Sequence, residues 1–349
     1  MKYRFIAGLL ALTVILSGCG SITNGRNVNS GFTHLENCEY ADALESFQSA
    51  LEGGEDECLA RRGMGIAYLH IYEYEQAAEQ LLASLAADEG IVDDMDFDTN
   101  YYLAEAYMKL GEYNKSKEIY DAILALREKD KDAHYLRGVC ELAADDHDSA
   151  YSDFAKAMKS SPKDYSLKIR IYKALAEYGY EEEGTKILQN AFDGGSDFMS
   201  NFEKGQISFY LGNNAEAQSY LEAARNERDQ EKEPVVLLLG ATGEKQGDYN
   251  YAVSVYKTYL SENPDSAKVY NQLGMCQIRQ GDYEGAISSF KSGIDIGDKT
   301  MNQALMLNEI TAYEHMGEFQ VAKSMMDEYL KVYPEDNDAI RENVFLSTR

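Results

Sequence analysis

Four carboxylates in the stretch IVDDMDFDTNYYLAE are spaced for metal chemistry. Asp94, Asp96, Asp98 and Glu105 stand at offsets 1, 3, 5 and 12, where a calcium-binding loop turns alternate oxygens inward and closes on a glutamate that binds through both of its own. The sixth position of such a loop calls for glycine, because the chain bends sharply there. This chain has Thr99, whose β-branch resists that conformation, and Glu105 is expected well inside a helix. The segment therefore reads first as an acidic linker in which Asp98 or Thr99 caps the next helix, and only second as a set of calcium candidates.

The other residue types able to do chemistry do not converge. His34, His70, His134, His147 and His315 are dispersed along the chain, and there is no G-x-S-x-G elbow, phosphate loop, dinucleotide fingerprint or H-E-x-x-H pair. Beyond Cys19 the cysteines are Cys38, Cys58, Cys140 and Cys276, with no C-x-x-C spacing. Cys140 and Cys276 read as buried thiols. Cys38 and Cys58 are expected at opposite ends of a helix pair, bridged only if the start of the fold departs from the rest. The expectation is a chain with no catalytic residue and no cofactor.

What positions these residues is a repeat. Residues 247 to 256 read GDYNYAVSVY and residues 281 to 290 read GDYEGAISSF. The small residue after this turn recurs as Ala43, Ala77, Ser116, Ala150, Gly184, Ala217, Ala252, Ala286 and Ala322, at a spacing of about 34 residues. Four positions later comes Phe47, Leu81, Tyr120, Phe154, Leu188, Leu221, Tyr256, Phe290 or Met326. Twelve before the small residue stands Gly31, Gly65, Ala104, Gly138, Gly205, Gly240 or Gly274, with Tyr172 and Ile310 as departures. Spacings of four and twelve fit two antiparallel helices, the glycine letting its partner approach closely. A glycine inside a helix costs about 1 kcal/mol against alanine, so it needs such a packing reason. The 4 prolines, absent tryptophan and 44% apolar residues agree with a helical chain. One hairpin cannot bury its apolar face alone, whereas a stack can.

This pattern resembles the tetratricopeptide repeat, over about residues 24 to 336. The resemblance implies an all-α fold, a right-handed α-solenoid of about nine helix-turn-helix repeats over 31–336, with a short capping helix over 337–349. In that cap, Ile340, Val344 and Phe345 are expected to face inward. The first helix of the first repeat, around Val28 to Asn37, is poor in apolar residues.

At the amino end, Lys2 and Arg4 precede an apolar run from Phe5 to Leu16, too short to span a bilayer and suited to a secretory signal. Leu16-Ser17-Gly18-Cys19 then resembles the lipobox of bacterial lipoprotein precursors. That resemblance implies a signal peptide over 1–18, a lipid on the Cys19 thiol, a flexible tether through residue 30, and a protein anchored to the cell membrane on its extracytoplasmic side. The formal charge of −27 repels phosphate backbones and argues against a nucleic-acid partner.

In a solenoid of this kind the first helices line a concave groove, and stripe positions three and four apart share one face. The expected groove comprises Arg62, Tyr101, Met108, Tyr135, Leu142, Lys173, Met199, Phe202, Gln206, Phe209, Tyr210, Lys268 and Arg279. Its aromatics would take a peptide or helix of another protein, and its basic residues would meet acidic or C-terminal groups. Lys268 and Asn271 share one repeat but the rest of a carboxylate clamp is absent, which disfavours capture of a chaperone tail. The expected role is a scaffold in envelope assembly, secretion or cell-wall turnover. The alternative is a lipoprotein that binds a small ligand or cell-wall fragment in the same groove.

Overall fold

The computed structural model describes residues 25–88, 90–334 and 336–349. The expected signal peptide and Cys19 lie outside the described residues. Among the described residues there are nineteen α-helices, one 3₁₀ turn at Ser196–Phe198 and no strand. They fall into two compact units that divide between Leu110 and Gly111.

The first unit holds α1 (Arg26–Glu36), α2 (Tyr40–Glu52), α3 (Glu57–His70), α4 (Tyr74–Ala87) and α5 (Asp94–Lys109). Phe47 on α2 is wedged between Gly31 of α1 and Gly63 of α3; a methyl added at Gly31 would stand 2.5 Å from its ring. Helix α1 begins at Arg26, five residues inside the stretch expected to be tether. The reason is tertiary. Gly25 offers no side chain to cap the helix, but Glu55, from the turn after α2, accepts hydrogen bonds from the Asn27 N–H at 3.0 Å and the Val28 N–H at 2.9 Å. Helix α5 starts at Asp94, capped by Asp93 in a reciprocal box with Asp96, so neither Asp98 nor Thr99 is the cap.

The second unit holds α6 (Tyr113–Leu126), α7 (Lys131–Ala143), α8 (His147–Ser160), α9 (Tyr165–Glu177), α10 (Glu181–Gly195), α11 (Asn201–Tyr210), α12 (Asn214–Asn226), α13 (Lys232–Lys245), α14 (Tyr249–Glu262), α15 (Ala267–Gln280), α16 (Tyr283–Asp295), α17 (Lys299–Met316), α18 (Phe319–Val332) and α19 (Asn337–Leu346). Each helix packs on the next, and from α7 to α17 each odd-numbered helix also touches the following odd one. The apolar clusters span neighbouring hairpins; Leu221 of α12, Leu239 of α13, Tyr256 of α14 and Leu273 of α15 share one. This is the stacking the repeat requires.

Acidic residues begin many of these helices. Asp130, Asp146, Asp164, Asp248, Asp282, Asp298 and Asp336 each accept a hydrogen bond from the first turn, a placement worth about 1 kcal/mol apiece that accounts for part of the acidic composition. At the far end of α15, Gly281 adopts φ 85°, and its N–H and that of Asp282 turn back onto Ile278 and Gln277, a reversal that suits a residue without Cβ. Helix α19 caps the last hairpin with a different face from the one expected. Ala339 and Leu346 are buried, while Ile340, Val344 and Phe345 are 40%, 66% and 41% exposed. The buried side of α19 packs on α18.

A cation–aromatic ladder on the odd-numbered helices

The calcium reading does not survive the fold. Asp94, Asp96, Asp98 and Glu105 all lie in α5, where successive residues turn by about 100° and alternate carboxylates diverge instead of converging. Thr99 is buried, its hydroxyl donating to the Met95 carbonyl at 2.8 Å, and burial raises the Glu105 carboxyl above its ordinary value.

The expected groove residues divide between the units. In the first, Arg62 is buried on α3 with its guanidinium 5.6 Å from the Tyr102 ring, and Tyr101 and Met108 are half-buried on α5. In the second, Leu142 and Met199 belong to apolar clusters and Phe209 is 8% exposed. Arg62, Leu142, Met199 and Phe209 are therefore packing residues first. A helix inside such an array is covered by its own partner and by the hairpins on both sides, so the stripe left to solvent is narrower than the stripe that periodicity draws. Met199 also precedes α11, ending the 3₁₀ turn. Phe202 is half-buried and packs on the cluster around Val235; Gln206 is half-buried. Two of the expected cations are already neutralised. Lys268 Nζ stands 3.9 Å from Glu233 Oε1, and Arg279 is paired with Glu244.

Tyr135, Lys173, Phe209 and Tyr210 come together with three residues outside the expected groove, Arg170, Tyr172 and Lys245. The Arg170 guanidinium of α9 lies 4.2 Å from the Tyr135 ring of α7. Lys173 Nζ of α9 lies 5.0 Å from the Tyr210 ring of α11, and the Tyr172 ring is 5.5 Å from the same ring. Tyr210 meets Phe209 edge-on at 5.2 Å, and Lys245 Nζ of α13 sits 3.8 Å above Phe209 while donating to its carbonyl at 3.4 Å. Four successive odd helices, α7, α9, α11 and α13, are thus joined by cation–π rungs, each worth about 0.5–2 kcal/mol. Lys173 and Lys245 are exposed, and partial burial lowers the Lys245 ammonium below its ordinary value. Arg170 is tied to Asp132 at 3.0 Å. The ladder therefore shows solvent two ammonium groups held over aromatic faces. Tyr172 had a sequence signal, since it breaks the glycine pattern; Lys245 had none, because its ring partner is 36 residues away.

A second polar feature lies between α6, α7 and α8, a cleft of about 440 Å³ lined by Lys117, Arg137, Glu141, Ser149, Ser152, Asp153 and Lys156. Asp153 is buried, accepting from Arg137 Nε at 2.5 Å and Lys156 Nζ at 3.0 Å, with His134 Nδ1 3.3 Å away. Burial pushes its carboxyl up, but the bonds from Arg137 and Lys156 prevail, and it ends below the usual carboxylate range. Glu141, also buried, is ion-paired with Lys117 at 2.9 Å, and its Oε2 has no hydrogen-bond partner. Burial dominates there and raises it. Beside it, burial pushes the Cys140 thiol up to about 11, and the corresponding Cys276 to about 12. These are inert packing thiols. Cys38 and Cys58 are free thiols, Cys38 in the turn between α1 and α2 and Cys58 at the start of α3.

Known proteins place this architecture. Residues 98–145 match the family model described as the Fis1 C-terminal tetratricopeptide repeat, and residues 244–300 match a tetratricopeptide repeat model. Among solved structures the chain is similar to yeast Tom70, with 15% identity, 92% of this chain and 87% of that one covered, and a TM-score of 0.54. It also matches YrrB, a tetratricopeptide-repeat protein with an unusual peptide-binding site, at 21% identity over 54% of this chain and 90% of that one, with a TM-score of 0.39. PilW, a type IV pilus biogenesis factor, matches at 16% identity over 72% and 99%, with a TM-score of 0.40. The described residues form an all-helical array of stacked hairpins, and the chain carries tetratricopeptide repeats.

Proposed function

We propose that the protein is a membrane-anchored scaffold that holds a peptide or helix of another protein along the ladder of α7, α9, α11 and α13, in envelope assembly, secretion or cell-wall turnover. The observation that carries this reading is the pair Lys173 and Lys245. In a chain of formal charge −27, two exposed ammonium groups are held on aromatic rings instead of being paired with acids. Such a surface suits a partner that brings carboxylates to the cations and apolar side chains to Tyr172 and Tyr210. The anchor is the lipid on Cys19. No helix among the described residues is long and apolar enough to cross a membrane, so membrane attachment in this reading rests on the amino end.

The experiment is affinity crosslinking of the full chain in native membranes, wild type against a Lys173→Ser, Tyr210→Ser, Lys245→Ser variant. The expected result is a specific protein adduct that falls by about tenfold in the variant, the equivalent of about 1.4 kcal/mol, while its helical circular dichroism stays intact. An undiminished adduct would remove the ladder from the account, and a low-mass adduct would favour a small ligand or cell-wall fragment. Cys19→Ala is expected to move the protein from the membrane fraction to the soluble one; retention on the membrane would refute the lipid anchor.

A further inference from the structure

We infer that the corner of the first hairpin binds a divalent first-row metal ion through His34, Glu39 and Asp42. One ligand atom from each of the three lies within 4.8 Å of the other two, and His34 Nδ1 is 2.7 Å from Glu39 Oε2. Zinc binds nitrogen and oxygen ligands at about 2.0–2.2 Å, so tetrahedral ligands stand roughly 3.4 Å apart, a value that lies within the 4.8 Å limit of this cluster.

The backbone prepares the corner. Helix α1 ends with His34 in its last turn, and Cys38, at φ 57°, reverses the chain so that the Glu39 N–H donates back to the His34 carbonyl at 2.8 Å. The end of α1 carries the negative pole of its dipole, which favours a cation. Glu39 occupies the cap position of α2 but makes no cap hydrogen bond from its side chain; its carboxylate turns to His34. The site is open to entry, with the His34 and Glu39 side chains 31% and 32% exposed and Asp42 on the surface.

The other hairpins provide a control. At the same three positions the eighth hairpin has Gln277, Asp282 and Gly285, and Gln277 Nε2 donates to Asp282 Oδ2 at 3.3 Å. That contact closes the corner with an amide-to-carboxylate hydrogen bond and leaves one carboxylate, no imidazole and, at Gly285, no third ligand side chain. The first hairpin replaces it with an imidazole and two carboxylates. Oxygen-only sets suit calcium or magnesium, whereas an imidazole among carboxylates suits zinc and its first-row neighbours. With three protein ligands, a fourth position stays open to water or to a donor from elsewhere.

The test is isothermal titration of the full chain with Zn²⁺, and with Co²⁺ as an optical probe. Wild type is expected to bind one equivalent, and Asp42→Asn to weaken binding by about tenfold or more, the scale of losing a metal-site group. Asp42 is exposed, so that variant should keep the wild-type circular dichroism. His34→Gln should behave likewise, and Cys38→Ser should bind as wild type. No uptake, equal affinity in Asp42→Asn, or a thiolate band in the Co²⁺ spectrum would overturn the site and leave His34 and Glu39 as a corner lock only.

Discussion

The fourth and fifth hairpins are neighbours built from helices of nearly equal length, yet they close by opposite means. In the fourth, Gly138 of α7 receives the Phe154 ring of α8, and a methyl at Gly138 would stand 2.7 Å from it. Gly65 with Leu81 and Gly205 with Leu221 repeat this arrangement at the same spacing. In the fifth, the first helix carries Tyr172 where the fourth has Gly138, and the recurrent small position of the second helix, Ala150 in the fourth, shrinks to Gly184 of α10, where an added methyl would meet the Tyr172 ring at 3.0 Å and its Cα at 3.1 Å. A larger side chain on the first helix is thus accommodated by loss of the Cβ it faces on the second. The exchange also puts the Tyr172 ring against Tyr210 in the ladder. Charge divides the two as well. The fourth crossing is flanked by Asp153 among Arg137, Lys156 and His134, whereas the fifth relies on Leu175, Ile187 and Leu188.

That contrast can be broken in graded steps. Asp153→Asn should have the largest effect, about 4 kcal/mol less stable in urea at pH 7, since it removes the buried anion that Arg137, Lys156 and His134 share and leaves Arg137 with Asp121 alone; a loss under about 1 kcal/mol would mean that the ion cluster is ornamental. Tyr172→Gly should cost about 3 kcal/mol through the cavity it leaves. Adding Gly184→Leu should return at least about 1 kcal/mol of that, and strict additivity in the double-mutant cycle would show that the two positions do not share one volume.

The smallest effect concerns pH, because Asp153 and Glu141 shift in opposite directions in one cleft. The depressed Asp153 stabilises the fold above its unfolded value, and this is lost as pH falls through its lower native value. The raised Glu141 contributes stability below its unfolded value, lost as pH rises through its higher native value. Glu141→Gln should therefore be within about 1 kcal/mol of wild type at pH 7, and thermal melts should show less loss of stability as pH rises above the ordinary glutamate range. A variant with the unchanged wild-type slope would assign that loss to another group.

Much of the fold is legible because it is local. Glycine and a large side chain sixteen residues apart, a turn glycine between them and an aspartate at the helix start all act within one hairpin, so their types and spacings carry the architecture directly. The start of α1 was not legible, since its cap is Glu55 from beyond the next helix. Nor was the true cap of α5, because Asp93 and Asp96 lay inside a run of acids that offered several candidates. The inward face of α19 was misread because Ile340 and Val344 are the more apolar residues, yet α18 covers the side that carries Ala339 and Leu346.

For the candidate site the division is sharper. Sequence alone determined that first-helix aromatics and scattered cations would lie on related faces, because a helix repeats its faces every few residues. Only the tertiary structure decided which of them remain on the surface, burying Leu142, Met199 and Phe209 and pairing Lys268 and Arg279 with acids, and it alone brought Lys245 to Phe209 across 36 residues of chain. Periodicity assigns direction within one helix; which neighbour covers that direction is settled when the hairpins stack.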